Sequence, residues 1–250
     1  MKYFIFGDIH GRNLNDLEES LTSFSPDVLI CLGDFDRVSS IRQFMELENE
    51  YIQKGKIVIK VPGNHDNSIF KNESIYSGTL TSQHKTGQEL HYELKKDSLA
   101  YDYIEKLLNL DGIAKNFFLD EKKFSNEYPS VVIHGAYNGD LYSCPGCRYP
   151  WTYLWYRLDG SWEVNQNFRA MKEKGKKIMI RGHDHNPMHA SYDSANETIC
   201  HWTSYSDSPI QLSKELYHVI NPGAFYEGNF ALIDTNVSNE NYPILTFHKI

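Results

Sequence analysis

Residues 2–11 read KYFIFGDIHG: a short apolar run, then an aspartate and a histidine two positions apart, set between glycines. The run has the length and composition of a buried strand. The polar pair at its end marks more than a turn, because four further strand-like runs end in the same kind of chemistry. VLICL at 28–32 ends in Gly33-Asp34, within GDFDR, and IVIKV at 57–61 passes through Pro62 into Gly63-Asn64-His65-Asp66. VVI at 131–133 runs into His134-Gly135, and the run at 177–180 leads into Gly182-His183-Asp184-His185.

The segments between the first three runs have helical spacing. Asn13 is placed to cap a helix carrying Leu14, Leu17 and Leu21 on one face. Ser39 or Ser40 is placed to cap another, with Ile41, Phe44, Met45 and Glu48 at helical intervals and Gly55 as its stop. This βαβαβ order predicts a mostly parallel sheet with helices on its faces. In such sheets ligands collect at the carboxyl ends of strands, so the five clusters are expected to converge. Residues 71–96 are polar and read as a long loop or weak hairpin, whereas Leu99, Tyr103, Ile104, Leu107 and Leu108 predict an amphipathic helix. From Leu216, LYHVI, FALID and ILTFH predict antiparallel strands that finish a sheet.

With 250 residues, 40% of them hydrophobic and 23% charged, the chain can bury a sizeable core as one large domain or two small ones. A formal net charge of −8 argues against nucleic-acid binding by bulk attraction to phosphates. The N-terminus lacks a basic segment leading into a signal-length apolar stretch, and no run approaches membrane-spanning length; the expectation is a cytoplasmic protein. Cys31, inside VLICL, reads as a small core residue. Cys144-Pro-Gly-Cys147 has the spacing of half a zinc site or a redox pair, yet Pro-Gly is equally a turn and no second CxxC exists.

Aspartate, asparagine and histidine are the donors of ions such as Mn²⁺, Fe²⁺ and Zn²⁺. The seven found at the strand ends exceed the needs of one ion. They suit two ions roughly 3.5–4 Å apart that share a carboxylate, the arrangement that clamps both oxygens of a phosphoryl displacement. The ordered set DxH, GD, GNHD, HG and GHDH resembles the calcineurin-like metallophosphoesterase family, and Asn221-Pro222-Gly223-Ala224 is similar to the NPG turn near the end of its small prokaryotic members.

The resemblance implies an α/β fold, a four-layer α/β/β/α sandwich of two mixed sheets flanked by helices, forming a single domain over residues 1–250 with insertions at about 67–130 and 136–175. It also implies roles. Asp8, His10 and His185 would hold one divalent ion, Asn64, His134 and His183 the other, and Asp34 would bridge them. Mn²⁺ is the leading ion, with Fe, Zn, Ni and Co as alternatives. His65 is not a ligand by this pattern; it would protonate the leaving oxygen or stabilise the charged phosphoryl group, with Asp66 fixing its tautomer. A water or hydroxide on the ions would be the nucleophile, and no covalent phosphoenzyme is required. Asp184 is expected to be a spacer pointing away from its neighbours. Asp36 and Arg37 are either substrate-facing or a solvated surface pair. His189 comes soon enough after GHDH to line the cleft, with a surface position the alternative, and His84, His91, His201, His218 and His248 are read as structural.

Between residues 137 and 162 lie eight tyrosines and tryptophans, Trp151 and Trp155 among them, with Arg148 and Arg157. Folded over the metals, the rings would stack on a base while an arginine holds a phosphate. Alternatively they form the small core that such an insertion needs. The expected activity is therefore hydrolysis of a small phosphomonoester or phosphodiester, with nucleic acid and membrane disfavoured as partners. Two other readings share the fold: a non-catalytic scaffold, as in the retromer subunit that resembles this family, and a nuclease.

Overall fold

The structure, a computed structural model, describes residues 1–73, 86–109, 114–137, 152–203, 206–236 and 242–250. Twelve strands among them form two six-stranded mixed sheets. In the first, β1 (Lys2–Phe6), β2 (Val28–Cys31) and β3 (Ile57–Lys60) run parallel, and β11 (Asn229–Asp234), β12 (Ile244–Lys249) and β9 (Ile210–Gln211) extend it antiparallel beyond β1. The second has the order β4 (Ala114–Phe118), β5 (Pro129–Ile133), β6 (Ile178–Ile180), β10 (Tyr217–Pro222), β7 (Pro187–Asp193) and β8 (Thr198–Thr203).

Period-two alternation along the buried strands makes the layers. On β1, Phe4 and Phe6 face outward into a core with α1 (Glu18–Phe24), α2 (Val38–Gln53), α4 (Gly87–Lys96) and α5 (Ser98–Leu107), while Tyr3 and Ile5 face the second sheet. On β10, Ile220 joins the core between the sheets, as does Phe124 of the one-turn α6 (Glu121–Phe124). Val219 of β10 faces a third core with α7 (Thr152–Trp155) and α8 (Ser161–Glu173). Three apolar interfaces define four layers, the α/β/β/α sandwich. Phe6 has no accessible surface and packs edge-on against Phe225 at 5.6 Å, so truncating it to alanine would cost about 3–5 kcal/mol.

Several local expectations are corrected. Helix α2 is capped at Arg37 without a side-chain bond, so Ser39 and Ser40 lie inside its first turn, where the Ser40 hydroxyl donates to the carbonyl of Arg12 at 3.2 Å. Part of the polar 71–96 stretch is the helix α4. Thr86 and Glu89 form its capping box, and Leu90 and Leu94 are buried one turn apart. Of the three tail strands, β11 and β12 finish the first sheet as expected. β10 instead enters the middle of the second, parallel to β6, where its run of buried residues suits a strand covered on both faces. Asn13 accepts from Asn15 N–H at 2.9 Å and caps a 3₁₀ turn over Leu14–Leu17 that leads into α1. No helix among the described residues is long and apolar enough to cross a membrane.

Candidate metal centre

The five motifs come directly after β1, β2, β3, β5 and β6, and their side chains meet at one end of the sandwich. Six residues there, Asp8, His10, Asp34, Asp36, His183 and His185, have positive φ between 45° and 73°. Aspartate and histidine tolerate this region better than most residues, but it remains strained, and strain of this kind collects at functional sites. Close approach explains two glycines. A Cβ on Gly63 would collide with the Asp34 carboxylate, and one on Gly182 would lie 2.6 Å from Asp8 Oδ2. Helix α3 (Asn64–Lys71) starts at the GNHD motif, so Asn64, His65 and Asp66 project from its first turn.

Three groups of donor atoms among the described residues lie mutually within 4.8 Å: Asp8 with His10 and His185, Asp8 with Asp34 and His134, and His10 with Asp36 and His65. His185 Nε2 is 3.4 Å from Asp8 Oδ1 and 3.1 Å from His10 Nε2. His134 Nε2 is 2.9 Å from Asn64 Oδ1 and 3.3 Å from Asp34 Oδ2. Asp34 Oδ1 accepts the N–H of His65 at 2.9 Å, while its Oδ2 is buried without a hydrogen-bond donor. His183 belongs to none of them. Its ring centroid lies 5.3 Å from that of His134, its N–H donates to both Asp8 oxygens at 3.1 Å, and its Nε2–H donates to the Trp155 carbonyl at 3.0 Å, which leaves Nδ1 as its donor atom.

These positions fit divalent cations. His134 Nδ1–H donates to the Leu32 carbonyl at 2.6 Å, so in the neutral ring the Nε2 lone pair faces two oxygens. His10 Nδ1–H donates to Asp36 at 3.0 Å, and its Nε2 faces another imidazole nitrogen. Lone pairs aimed at lone pairs in a buried space repel unless a proton or a cation sits among them. Without metal, protons take that place. Burial alone would lower the His134 pKa, but the Asp34 carboxylate beside it pushes it up to about 9. Burial would raise Asp34, yet His134 and His65 hold it well below the usual carboxylate range. Burial, reinforced by the His134 charge, holds His183 well below the usual imidazole range.

Asp36 changes the assignment around His65. It is fully buried, not a surface residue, and its Oδ1 accepts from His65 Nδ1 at 2.9 Å while Oδ2 accepts from His10 Nδ1. Asp66, expected to fix the His65 tautomer, instead accepts the N–H groups of Asp34, Phe35 and Gly63 at 2.8, 2.9 and 2.8 Å. Burial opposes charge on His65 but is outweighed by Asp36 and then Asp34, which raise its pKa to about 10. The signal for Asp36 was its place in the turn that presents Asp34; the aspartate-rich GDFDR reads equally well as solvated surface.

Other residues complete the surroundings. Asn221 of the NPG turn donates to the Gly182 carbonyl at 3.0 Å, and the N–H groups of Ala224, Phe225 and Tyr226 just beyond it donate to the carbonyls of His185, Gly7 and Asp8. The Tyr226 ring packs edge-on against His10 and His185, at 5.3 and 5.5 Å. No sequence pattern marked Tyr226. Arg37 lies over Gly11, and Arg157 donates to the His183 carbonyl at 3.1 Å with its side chain half exposed. Trp155 lies beside His183, whereas Arg148, Trp151, Cys144 and Cys147 lie outside the described residues. Asp184 turns from its flanking histidines toward Arg181. His189 lines neither cleft nor surface: it is buried on β7, hydrogen-bonded to His218 at 3.1 Å.

The sequence model of the calcineurin-like phosphoesterases matches residues 1–202, and the chain belongs to that family. Among solved structures it is similar to a metallophosphoesterase from Sphaerobacter thermophilus, with 20% identity, a TM-score of 0.64, and coverage of 100% of this chain and 88% of that one. The hypothetical protein PH1004 from Pyrococcus horikoshii OT3 is similar at 13% identity with a TM-score of 0.56, covering 99% of this chain and 88% of that one. Both likenesses are of fold. No curated protein matches the sequence.

Proposed function

We propose that this protein hydrolyses a small phosphomonoester or phosphodiester with the help of two divalent cations, Mn²⁺ first among them. The observation that carries the reading is the convergence of Asn64 Oδ1 and Asp34 Oδ2, at 2.9 and 3.3 Å, on the buried His134 Nε2, next to the group formed by Asp8, His10 and His185. Asp8, His10 and His185 would hold one ion, Asn64, His134 and His183 the other, and Asp34 both. Bound there, the ions supply the charge that acidifies water and offsets the phosphoryl oxygens.

The chain's own groups do the rest. Asp36 occupies His65 Nδ1, leaving Nε2 for proton transfer, and the buried Asp36 carboxylate favours the protonated ring. A protonated imidazole beside the phosphoryl group stabilises its negative charge and hands a proton to the departing oxygen. Arg157, half exposed at the His183 loop, is placed to meet a further anionic group of the substrate. The net charge of −8 favours a small substrate over nucleic acid.

The test is hydrolysis of an aryl phosphate and a bis-aryl phosphate by purified protein with added Mn²⁺. Turnover that EDTA abolishes and Mn²⁺ restores is the expected result. Folded protein that is inert with every divalent metal overturns the reading.

A further inference from the structure

Arg181 is the largest fully buried side chain among the described residues. A guanidinium out of water is stable only where its hydrogen bonds and charge are met. Its nitrogens donate to three separate pieces of chain. Nε donates to the Gly135 carbonyl at 2.5 Å, directly after His134. One terminal nitrogen donates to the Asp184 carboxylate, directly after His183, and the other to the Tyr156 carbonyl at 3.1 Å.

The same three pieces are also tied to each other. Gly135 N–H donates to the Tyr153 carbonyl at 2.5 Å, and His183 Nε2–H to the Trp155 carbonyl at 3.0 Å. Arg157 reaches the His183 carbonyl at 3.1 Å, and Leu158 N–H reaches Asp184 Oδ2 at 3.4 Å. Of the opposite half, His10 is held from elsewhere, by Asp36, whereas Asp8 accepts the His183 N–H and His185 follows Asp184 in the same loop.

We propose that Arg181 is a positioning residue for the ion expected at Asn64, His134 and His183, and that residues 153–158 are part of that ion's framework, not a detachable cover. The inference rests on the dimetal reading above. His134 and His183 come from different strand ends; the Gly182 N–H joins the two loops directly at the His134 carbonyl, at 3.0 Å, and Arg181 with 153–158 adds the side-chain ties between them. A lysine at 181 keeps the charge but lacks the fork that reaches three acceptors in three directions.

The experiment is calorimetric titration of the metal-stripped full chain with Mn²⁺ alone, for wild type, Arg181→Lys and Asp184→Asn. Wild type is expected to bind two ions. Each variant is expected to weaken one of the two binding steps by about 10–100-fold, the usual consequence of losing a residue that orients a metal ligand, and to weaken the other distinctly less. Asp184→Asn is close to isosteric and supplies the comparison if Arg181→Lys does not fold. A merely structural role would lower Tm and leave both Mn²⁺ affinities intact, and that result, or equal weakening of both steps, overturns the proposal. A wild-type chain that takes up no pair of Mn²⁺ ions overturns the dimetal reading first, before any variant is compared.

Discussion

Asp36 and His65 are joined by a 2.9 Å hydrogen bond between a fully buried carboxylate and Nδ1, and the same carboxylate holds His10 through its other oxygen at 3.0 Å. One side chain thus orients a candidate ligand and a candidate proton donor together. His65→Asn is expected to lower kcat by about 10²–10⁴ while Mn²⁺ binding stays near wild type. Asp36→Asn is expected to lower kcat and also weaken Mn²⁺ binding by about 10–100-fold, because one amide oxygen cannot accept from both His10 and His65 as the carboxylate does. Steady-state kinetics across a Mn²⁺ titration separates the two, and loss of metal from His65→Asn would make His65 a ligand instead.

Asp66 should behave differently from Asp36. Its carboxylate accepts three main-chain N–H groups that join the turn after β2 to the start of α3. An amide in its place turns one acceptor into a donor facing donors. Asp66→Asn is therefore expected to cost roughly 2–3 kcal/mol of stability while kcat per folded molecule changes little. Denaturant melts beside active-site titration measure this, and a variant of full stability with no activity would return Asp66 to a chemical role.

Much of the frame was legible because chemistry and periodicity coincide at the strand ends. The runs before Asp8 and Asp34 are buried on both faces, and each stops where its ligand begins. The capping box at Thr86 was equally readable, but the polar surroundings of α4 hid it. Strands such as β7 and β8 were not readable: β8 has its residues largely exposed, and β7 carries histidine and serine on a buried face. The place of β10 beside β6 is a long-range pairing that no local pattern encodes. Arg181 and Tyr226 were missed as site residues, and Asp36 was left between a substrate-facing and a solvated role, for one shared reason. Their importance lies in what folding brings against them.

Metal removal gives a stability test that does not depend on finding the substrate. Ions that bind only the folded chain stabilise it by about 2.7 kcal/mol at a hundredfold excess over Kd, which for this length raises Tm by roughly 5–10 °C. EDTA-dialysed protein is expected to melt lower and to recover with Mn²⁺. Asp34→Asn, which removes the charge expected to serve both ions, is expected to show little recovery. Calorimetry with and without Mn²⁺ checks both, and equal recovery in the variant would exclude Asp34 as the bridge.

Acid sensitivity is expected from a pair that belongs to none of the donor groups. His218 donates through Nε2–H to the Ser213 carbonyl at 2.8 Å, so its Nδ1 accepts from His189 at 3.1 Å, and both rings are neutral in the fold. Burial pushes His218 down to about 4 and His189 to about 2. The folded values lie below the ordinary 6.5, so the unfolded chain binds more protons as pH falls, and stability is full above 6.5 and lost below it. For His218 alone the loss reaches roughly 3 kcal/mol by pH 4. His218→Gln keeps an acceptor and a donor but does not titrate. The variant is expected to start less stable at pH 7 and to lose less between pH 6.5 and 4 than wild type, as measured by urea unfolding at each pH. Parallel losses in the two proteins would mean that His218 is not the group being charged.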